Sequence, residues 1–210
     1  MLLREPIEVV GAGRTDTGVH AAYYVAHFDT AAPLTDLDQV VYKLNKVLPT
    51  DIAALGLRAV SDDMHARFSA RSRAYRYYIE PTKNPFTTHT AWQYGVPLDI
   101  ERMNRAAEVL LTERDFTSFA KLNSNNKTNI CRVTEARWER MEDGVLRFTI
   151  RADRFLRNMV RAIVGTLVDV GRGRYTEEEF ADIVRSRDLS RSSGGAPAEG
   201  LFLCEVTYDA

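Results

Sequence analysis

The 210-residue sequence has little of several features that would place it in a common class of protein. No apolar run approaches the roughly 18 residues of a membrane-spanning helix, and the first residues lack the apolar stretch of a signal peptide. The two cysteines, Cys131 and Cys204, stand alone, and the four histidines show no metal-ligand spacing. We therefore expect a cytoplasmic protein with reduced thiols, no metal and no membrane association.

The sequence also has no large excess of charge of either sign, since the formal net charge is −1. A nearly neutral chain argues weakly against nucleic-acid binding, but the arginines are unevenly placed. Residues 67–76 contain four arginines and no acid, and residues 147–161 contain five arginines with Asp153 as the one acid. A single basic face is enough to follow a phosphate backbone, although each of these arginines could instead be an ordinary solvated side chain.

What the sequence does contain is a succession of strand and helix patterns, which predicts an α+β fold. Strands are predicted at residues 7–10, 20–28, 52–60, 73–80, 132–140, 145–152 and 202–208. Helices are predicted at residues 35–48, 99–111, 155–170 and 180–187, the first two capped by Thr35 and Asp99. The Asp143–Gly144 pair predicts a hairpin turn, with residues 146, 148, 150 and 152 on one face of the second strand.

The most informative segment is G-A-G-R-T-D-T-G-V-H-A at residues 11–21, which follows the apolar run 7–10. Its three glycines permit positive φ and close backbone approach. The segment therefore predicts a strand that ends in a tight loop and presents a single acid, Asp16. Arg14, two residues earlier, would keep that acid ionised and attract a polyanion.

Three general interpretations of this loop compete. It could be a charged turn between two strands. It could be a dinucleotide-binding loop, but the third glycine is misplaced and residues 19–25 have a strand pattern rather than a helix pattern. It could belong to an aspartic protease because residues 16–18 read Asp-Thr-Gly, but that enzyme needs two such aspartates and the chain has one copy.

The complete string fits a fourth interpretation better, because it resembles the G-R-T-D-x-G-V-H-A loop of the tRNA pseudouridine synthase A family. Every specified position is present at residues 13–21. Further segments resemble family motifs in the same order: N-K-V-L-P-T-D-I at 45–52, H-A-R-F-S-A at 65–70, R-A-Y-R-Y at 73–77, D-F-T-S-F at 115–119, F-L-R-N-M-V-R at 155–161 and E-G-L-F-L at 199–203.

Two departures from the family pattern stand out. Met64 occupies a position that is aromatic in the family. The family also begins with an additional strand and helix upstream of the aspartate loop, and the sequence given lacks them. We expect their loss to expose a sheet edge.

The resemblance implies a fold with two ferredoxin-like halves that form an extended antiparallel sheet. Helices would cover the outer face, and a catalytic cleft would lie between the halves. The N-terminal half would be residues 1–66, incomplete at its start, and the C-terminal half residues 67–210.

The resemblance also implies an isomerase that converts uridine to pseudouridine at positions 38–40 of the tRNA anticodon arm, with no cofactor. Asp16 would be the nucleophile, attacking C1′ or C6, and Arg161 would keep it ionised. On the predicted helix, Arg154, Arg157 and Arg161 share one face. Tyr75 would stack on the uracil and help to move the C5 proton.

RNA contacts are implied for further residues. Arg14 would assist in turning the base out of its stack. Leu201 would line the pocket, although a core leucine fits the sequence equally well. The other expected RNA contacts are His65, Arg67, Phe68 and, from a loosely matching loop, Asn125, Asn126 and Lys127. The partners would be tRNA and a second copy of the chain, with one tRNA reaching across both subunits of a homodimer.

Two other functions stay open from the sequence. A catalytically inactive RNA-binding fragment would be favoured if Asp16 were buried without access to a pocket. A nucleotide-binding domain that uses residues 11–18 would be favoured if a helix began at Gly18.

Overall fold

The structure is a computed structural model that describes residues 5–121 and 127–209. The strands in these residues are β1 (Val10–Gly11), β2 (His20–Ala21), β3 (Ala26–His27), β4 (Ser72–Glu80), β5 (Trp92–Gln93), β6 (Val133–Arg140), β7 (Leu146–Ala152) and β8 (Leu201–Thr207). The α-helices are α1 (Leu37–Val47), α2 (Ile100–Ala107), α3 (Val109–Thr112), α4 (Met159–Gly171) and α5 (Glu177–Ser186). The predicted mixture of α and β structure is therefore confirmed.

The chain divides into two compact units. The smaller consists of residues 5–12 and 25–69, and the larger of residues 13–24 and 70–209. The predicted strand 20–28 is divided between them, because β2 pairs with β8 and β3 pairs with β1. A single strand was the wrong prediction here, since its two ends find different neighbours.

In the smaller unit, α1 is capped by Asp36, whose side chain accepts a hydrogen bond from the Gln39 amide. The prediction of Thr35 as the cap is wrong, because the cap lies one residue later. The strand predicted at residues 52–60 does not form. The backbone of Ala54 bonds instead to the amide of Asn45, whose Oδ1 accepts from Ala54 N at 2.7 Å and whose Nδ2 donates to Ala54 O at 2.9 Å. An alternating pattern becomes a strand only where another strand lies beside it.

The larger unit is built on a mixed sheet with the order β2-β8-β4-β7-β6, and β5 pairs with β4. The long strands β8, β4, β7 and β6 are antiparallel, as expected. The short strands β2 and β5 lie parallel to β8 and β4, so the expectation of an entirely antiparallel sheet is wrong at these two places. The hairpin turn at Gly144, with φ of +87°, is confirmed. Residues 146, 148, 150 and 152 share one face of β7, as predicted, and all four are buried.

Helix α4 supplies much of the core, because every residue from Met159 to Gly171 except Arg161 is buried. The prediction that this helix begins at residue 155 is wrong. Asn158 adopts a left-handed conformation with φ of +66°, and the helix begins only after it. Asp99 caps α2 as predicted, although a break at Glu108 separates α2 from α3.

The side chain of Asn104 pairs with the backbone on the open edge of strand β6. Asn104 on α2 accepts from Trp138 N at 2.7 Å and donates to Trp138 O at 3.0 Å. The backbone of Trp138 on this edge is thus paired by a side chain instead of a further strand. Among the helices that the structure describes, none combines the length and apolar character needed to cross a bilayer.

Candidate active site

The glycine-rich loop forms as the sequence predicts, between β1 and β2. A turn closes it, with Val19 N donating to Asp16 O at 3.1 Å. Gly18 has φ of +85°, a conformation that favours glycine, and a Cβ there would lie 3.2 Å from the Cβ of Ala198. A strand follows the turn instead of a helix, so the dinucleotide-loop interpretation is wrong.

The Asp16 carboxylate lies against two arginines of the larger unit. The Nη1 atom of Arg161 donates to Oδ2 at 3.3 Å, and the Nε atom of Arg157 lies 3.6 Å from Oδ1. The side chain of Asp16 keeps 25% of its surface exposed. The carboxylate is therefore neutralised by protein cations and still open to a ligand.

Arg161 is the more firmly held of the two cations. It lies in the first turn of α4, and its side chain is 22% exposed. Its Nε atom donates to the carbonyl of Ala196 at 2.6 Å, while Nη1 reaches Asp16. The guanidinium is therefore fixed by two acceptors that lie on different segments of the chain.

Arg157 reaches Asp16 from outside the helix. The prediction that Arg154, Arg157 and Arg161 share a helix face is wrong, because α4 begins after Asn158. The left-handed Asn158 turns the chain at this point, and Arg157 still lies beside the carboxylate with 59% of its side chain exposed. An exposed pair of this kind contributes little to stability.

Tyr75 lies on β4, where the register against β8 shifts between Ala74 and Tyr75. Such bulges change the direction of a side chain and are common beside active sites. The Tyr75 and Phe155 rings are nearly perpendicular, with 5.1 Å between their centroids. Burial raises the pKa of the Tyr75 hydroxyl to about 12. The nearby Arg73 lowers this pKa by a smaller amount, and Tyr24 and Asp16 add to the increase.

The larger unit thus contains the Asp16 carboxyl group, two arginines that contact it and the phenol of Tyr75. A carboxylate so placed can act as a nucleophile or stabilise a developing positive charge. The histidine, cysteine, aspartate and glutamate residues of the described chain form no cluster of three or more that could hold a metal ion.

A family model described as tRNA pseudouridine synthase matches residues 106–209. The tRNA pseudouridine synthase A of Parabacteroides distasonis is 48% identical over 208 residues, which are 99% of this chain and 82% of that protein. The protein of the same name from Bacteroides thetaiotaomicron is 50% identical over 208 residues, 98% of this chain and 77% of that protein. A third, from Acetivibrio thermocellus, is 41% identical over 209 residues, 99% of this chain and 85% of that protein. The chain belongs to the tRNA pseudouridine synthase A family.

In this member of the tRNA pseudouridine synthase A family, the predicted RNA-contacting residues lie in both units. Arg14 is exposed in the loop of the larger unit. In the smaller unit, Nδ1 of His65 accepts from the amides of Arg67 and Phe68, at 3.1 Å and 3.2 Å. The guanidinium of Arg67 lies over the Phe68 ring, which is 76% exposed. His65 thus shapes a turn that presents an aromatic ring and a cation to solvent.

The remaining predicted residues are placed as follows. Leu201 is buried at the start of β8, opposite Tyr77, and packs in the core. Lys127 is exposed. Asn125 and Asn126 lie outside the described residues.

Sequence reasoning gave Arg157 no part in binding Asp16, and it overlooked the segment at residues 193–197 that holds Arg161. The adjacent glycines Gly194 and Gly195 were a usable signal for that segment. Paired glycines often mark a close approach of two backbones.

Proposed function

We propose that this chain is a tRNA pseudouridine synthase that isomerises uridine to pseudouridine at positions 38–40 of the anticodon stem-loop, with Asp16 as the nucleophile. The observation that carries the proposal is the partly exposed Asp16 carboxylate beside Arg161. It lies in a chain that shares close to half of its residues with proteins named tRNA pseudouridine synthase A.

The proposed reaction breaks the N1–C1′ bond of a uridine, turns the uracil and forms a C5–C1′ bond. The hydrogen on C5 leaves as a proton and N1 gains a proton, so nothing is oxidised or hydrolysed. Asp16 adds to C1′ or to C6 and leaves again when the new bond is complete. No cofactor is needed to balance this change.

The neighbouring side chains fit the other roles. Arg161 supplies a positive charge and a hydrogen-bond donor beside the Asp16 carboxylate. Tyr75 presents an aromatic ring on which a free uracil can stack between bond breaking and bond formation. Its hydroxyl carries its proton at neutral pH, and the raised pKa makes the phenolate still less accessible, so we propose that it acts as a hydrogen-bond donor.

We further propose that RNA is held by Arg14, by the exposed turn at His65, Arg67 and Phe68, and by Asn125, Asn126 and Lys127, while Leu201 lines the base pocket. Arginine, lysine and exposed aromatic side chains suit phosphates and unstacked bases. Assembly as a homodimer, two ferredoxin-like halves and a cytoplasmic location complete the proposal. Light scattering at several protein concentrations tests the dimer.

The alternative of an inactive RNA-binding fragment is less well supported. It requires an Asp16 side chain that is closed off, whereas a quarter of that side chain is exposed. A nucleotide-binding domain is not supported, because β2 follows Gly18 where that function needs a helix.

The test uses the 210-residue chain, Asp16→Asn and Asp143→Asn, each incubated with unmodified tRNA transcript. Pseudouridine is then mapped by carbodiimide labelling and primer extension. We expect stops at positions 38–40 with the wild type and with Asp143→Asn, and none with Asp16→Asn. Asp143 is a matched control because it is exposed in the β6–β7 turn and undergoes the same chemical change.

Other results would contradict separate parts of the proposal. Stops that persist with Asp16→Asn would remove Asp16 as the nucleophile. Stops elsewhere in the tRNA would contradict the anticodon assignment. Bound RNA without any stops would favour the inactive fragment.

A further inference from the structure

A backbone segment holds the cation that faces Asp16. Ala196 N donates to the Arg161 carbonyl at 3.0 Å, and Arg161 Nε donates to the Ala196 carbonyl at 2.6 Å. Both the backbone and the side chain of Arg161 are thus tied to one residue. The position of Ala196 therefore decides the direction of the remaining guanidinium donors, one of which reaches Asp16.

The same segment lies in direct contact with α4. An ideal Cβ on Gly165 would lie 2.3 Å from the Gly194 carbonyl oxygen, so no other residue fits there without movement of that backbone. A Cβ on Gly195 would lie 2.9 Å from Oδ1 of Asn158. Contact this close on both glycines fixes the distance between the segment and the helix.

Ser193 anchors the segment at its other end. Its Oγ donates to Asp169 Oδ2 at 2.5 Å, and its amide donates to Thr166 Oγ1 at 3.1 Å. Thr166 is fully buried and Asp169 is only 6% exposed. Asp169 also binds Arg172 and Arg174, at 2.8 Å and 3.3 Å, so its orientation is fixed by several partners.

A third fixed point comes from the sheet. The hydroxyl of the buried Tyr77 donates to the Pro197 carbonyl at 2.7 Å. Residues 193–197 are therefore bonded to α4 on one side and to β4 on the other, with Ala196 between these attachments. A carbonyl held this way has little freedom to follow a moving arginine.

We infer that residues 193–197 form a rigid template that orients Arg161 toward Asp16, and that Ser193 and Gly165 are positioning residues for the reaction. The inference rests on the proposed function for its catalytic consequence. Arg161 acts on Asp16, and the template acts through Arg161. A small displacement of a positioned group can lower a rate by as much as about 100-fold.

The first test compares Ser193→Ala with Ser190→Ala. Ser190 is a matched control because its Oγ donates to Asp188 and it precedes the template. We expect kcat to fall about 10-fold in Ser193→Ala, with a change in KM for tRNA of less than about 2-fold. Ser193→Thr, which keeps the hydroxyl, should restore kcat. Ser190→Ala should retain both constants, and the melting temperatures of all variants are measured alongside.

The second test does not depend on activity. In protein labelled with ¹⁵N-arginine, the Nε–H signal of Arg161 is identified by its absence from Arg161→Lys. We expect this signal to exchange slowly with water in the wild type because of its short hydrogen bond. Ser193→Ala and Gly165→Ala should shift it and accelerate its exchange, and Ser190→Ala should leave it unchanged.

An Arg161 signal that does not change in Ser193→Ala or Gly165→Ala overturns the inference, whatever the turnover. A changed signal with unchanged kcat also overturns it, because the template would then have no catalytic consequence. If the wild type makes no pseudouridine, the proposed function fails, and the signal of Arg161 still decides whether the template orients it.

Discussion

The Nη1 atom of Arg161 lies 3.3 Å from the Oδ2 atom of Asp16, although 145 residues separate the two in the sequence. The pair joins the turn before β2 to the first turn of α4. It places a full positive charge beside the one acid of the glycine-rich loop. Arg157 approaches the same carboxylate from outside the helix, so the two arginines can be compared directly by substitution.

We predict that Arg161→Lys lowers kcat far more than Arg157→Lys. A lysine ammonium cannot serve the Ala196 carbonyl and Asp16 with the planar fork that an arginine offers. The exposed ion pair between Arg157 and Asp16 should contribute about 0–1 kcal/mol, so its loss should change kcat by at most about 5-fold. Loss of the Arg161 fork should cost about 100-fold or more. Release of tritium from tRNA labelled at uridine C5 measures both rates, and equal losses would contradict the difference in role.

We predict that Tyr75→Phe retains tRNA binding and loses turnover by about 100-fold or more, because the ring remains while the hydroxyl donor is lost. Gel-shift titration and tritium release separate the two effects. Burial raises the pKa of this hydroxyl to about 12. Phenolate absorbance up to about pH 11 should therefore be nearly the same in Tyr75→Phe and wild type. A clear loss of phenolate near pH 10 would show an unperturbed tyrosine.

We predict that Glu177 stabilises the protein at neutral pH and loses this effect in acid. Hydrogen bonds from Arg102, from its own backbone and from Arg105 lower its pKa from 4.5 to about 2. The folded-state pKa lies below the unfolded one, so the contribution is present above about pH 4.5 and is lost as the pH falls toward about 2. Glu177→Gln should therefore lower the urea midpoint near pH 7 and have progressively less effect as the pH falls toward about 3.

The control for this measurement is Glu142→Gln in the exposed β6–β7 turn, which changes the net charge by the same amount. Within the described residues Glu142 has no ion pair, so its substitution should have less effect near neutral pH. An effect of Glu177→Gln that grows as the pH falls would contradict the sign of the pKa shift.

We predict that Asn104→Ala lowers the free energy of unfolding by about 1–3 kcal/mol, because it leaves the N–H and C=O of Trp138 unpaired on the β6 edge. Asn45→Ala removes the same pair of hydrogen bonds from the backbone of Ala54. Because Asn45 is exposed, water can take over both hydrogen bonds there. Urea unfolding of both variants should give the smaller loss for Asn45→Ala. An equal loss of unfolding free energy in the two variants would mean that burial around Trp138 does not increase the cost of unpaired backbone groups.

Much of the larger unit could be predicted from the sequence, because its patterns match the structure that they form. Strand β4 begins one residue before the predicted strand 73–80, and β6 and β7 each begin one residue after the predicted hairpin strands. These segments carry alternating apolar residues, and each has a neighbouring strand to pair with. Local pattern and tertiary context therefore agree there.

The failures have identifiable physical causes. Residues 52–60 alternate like a strand but have no strand beside them, and Ala54 bonds to a side chain instead. The start of α4 was missed because Asn158 adopts a positive φ that no apolar period reveals. In the first case the deciding partner, Asn45, lies outside the predicted strand, and in the second the deciding feature is the backbone conformation of a single residue.

By itself, the sequence determined the family, the glycine-rich turn that presents Asp16 and the apolar periods that become β4, β7 and α4. These are properties of short segments, set by backbone freedom and by which side chains avoid water. Only the tertiary structure decided that Arg157 and Arg161 meet on one carboxylate, and that residues 193–197 hold Arg161 from 35 residues away. Such contacts depend on how separate elements pack, and packing is a property of the folded chain as a whole.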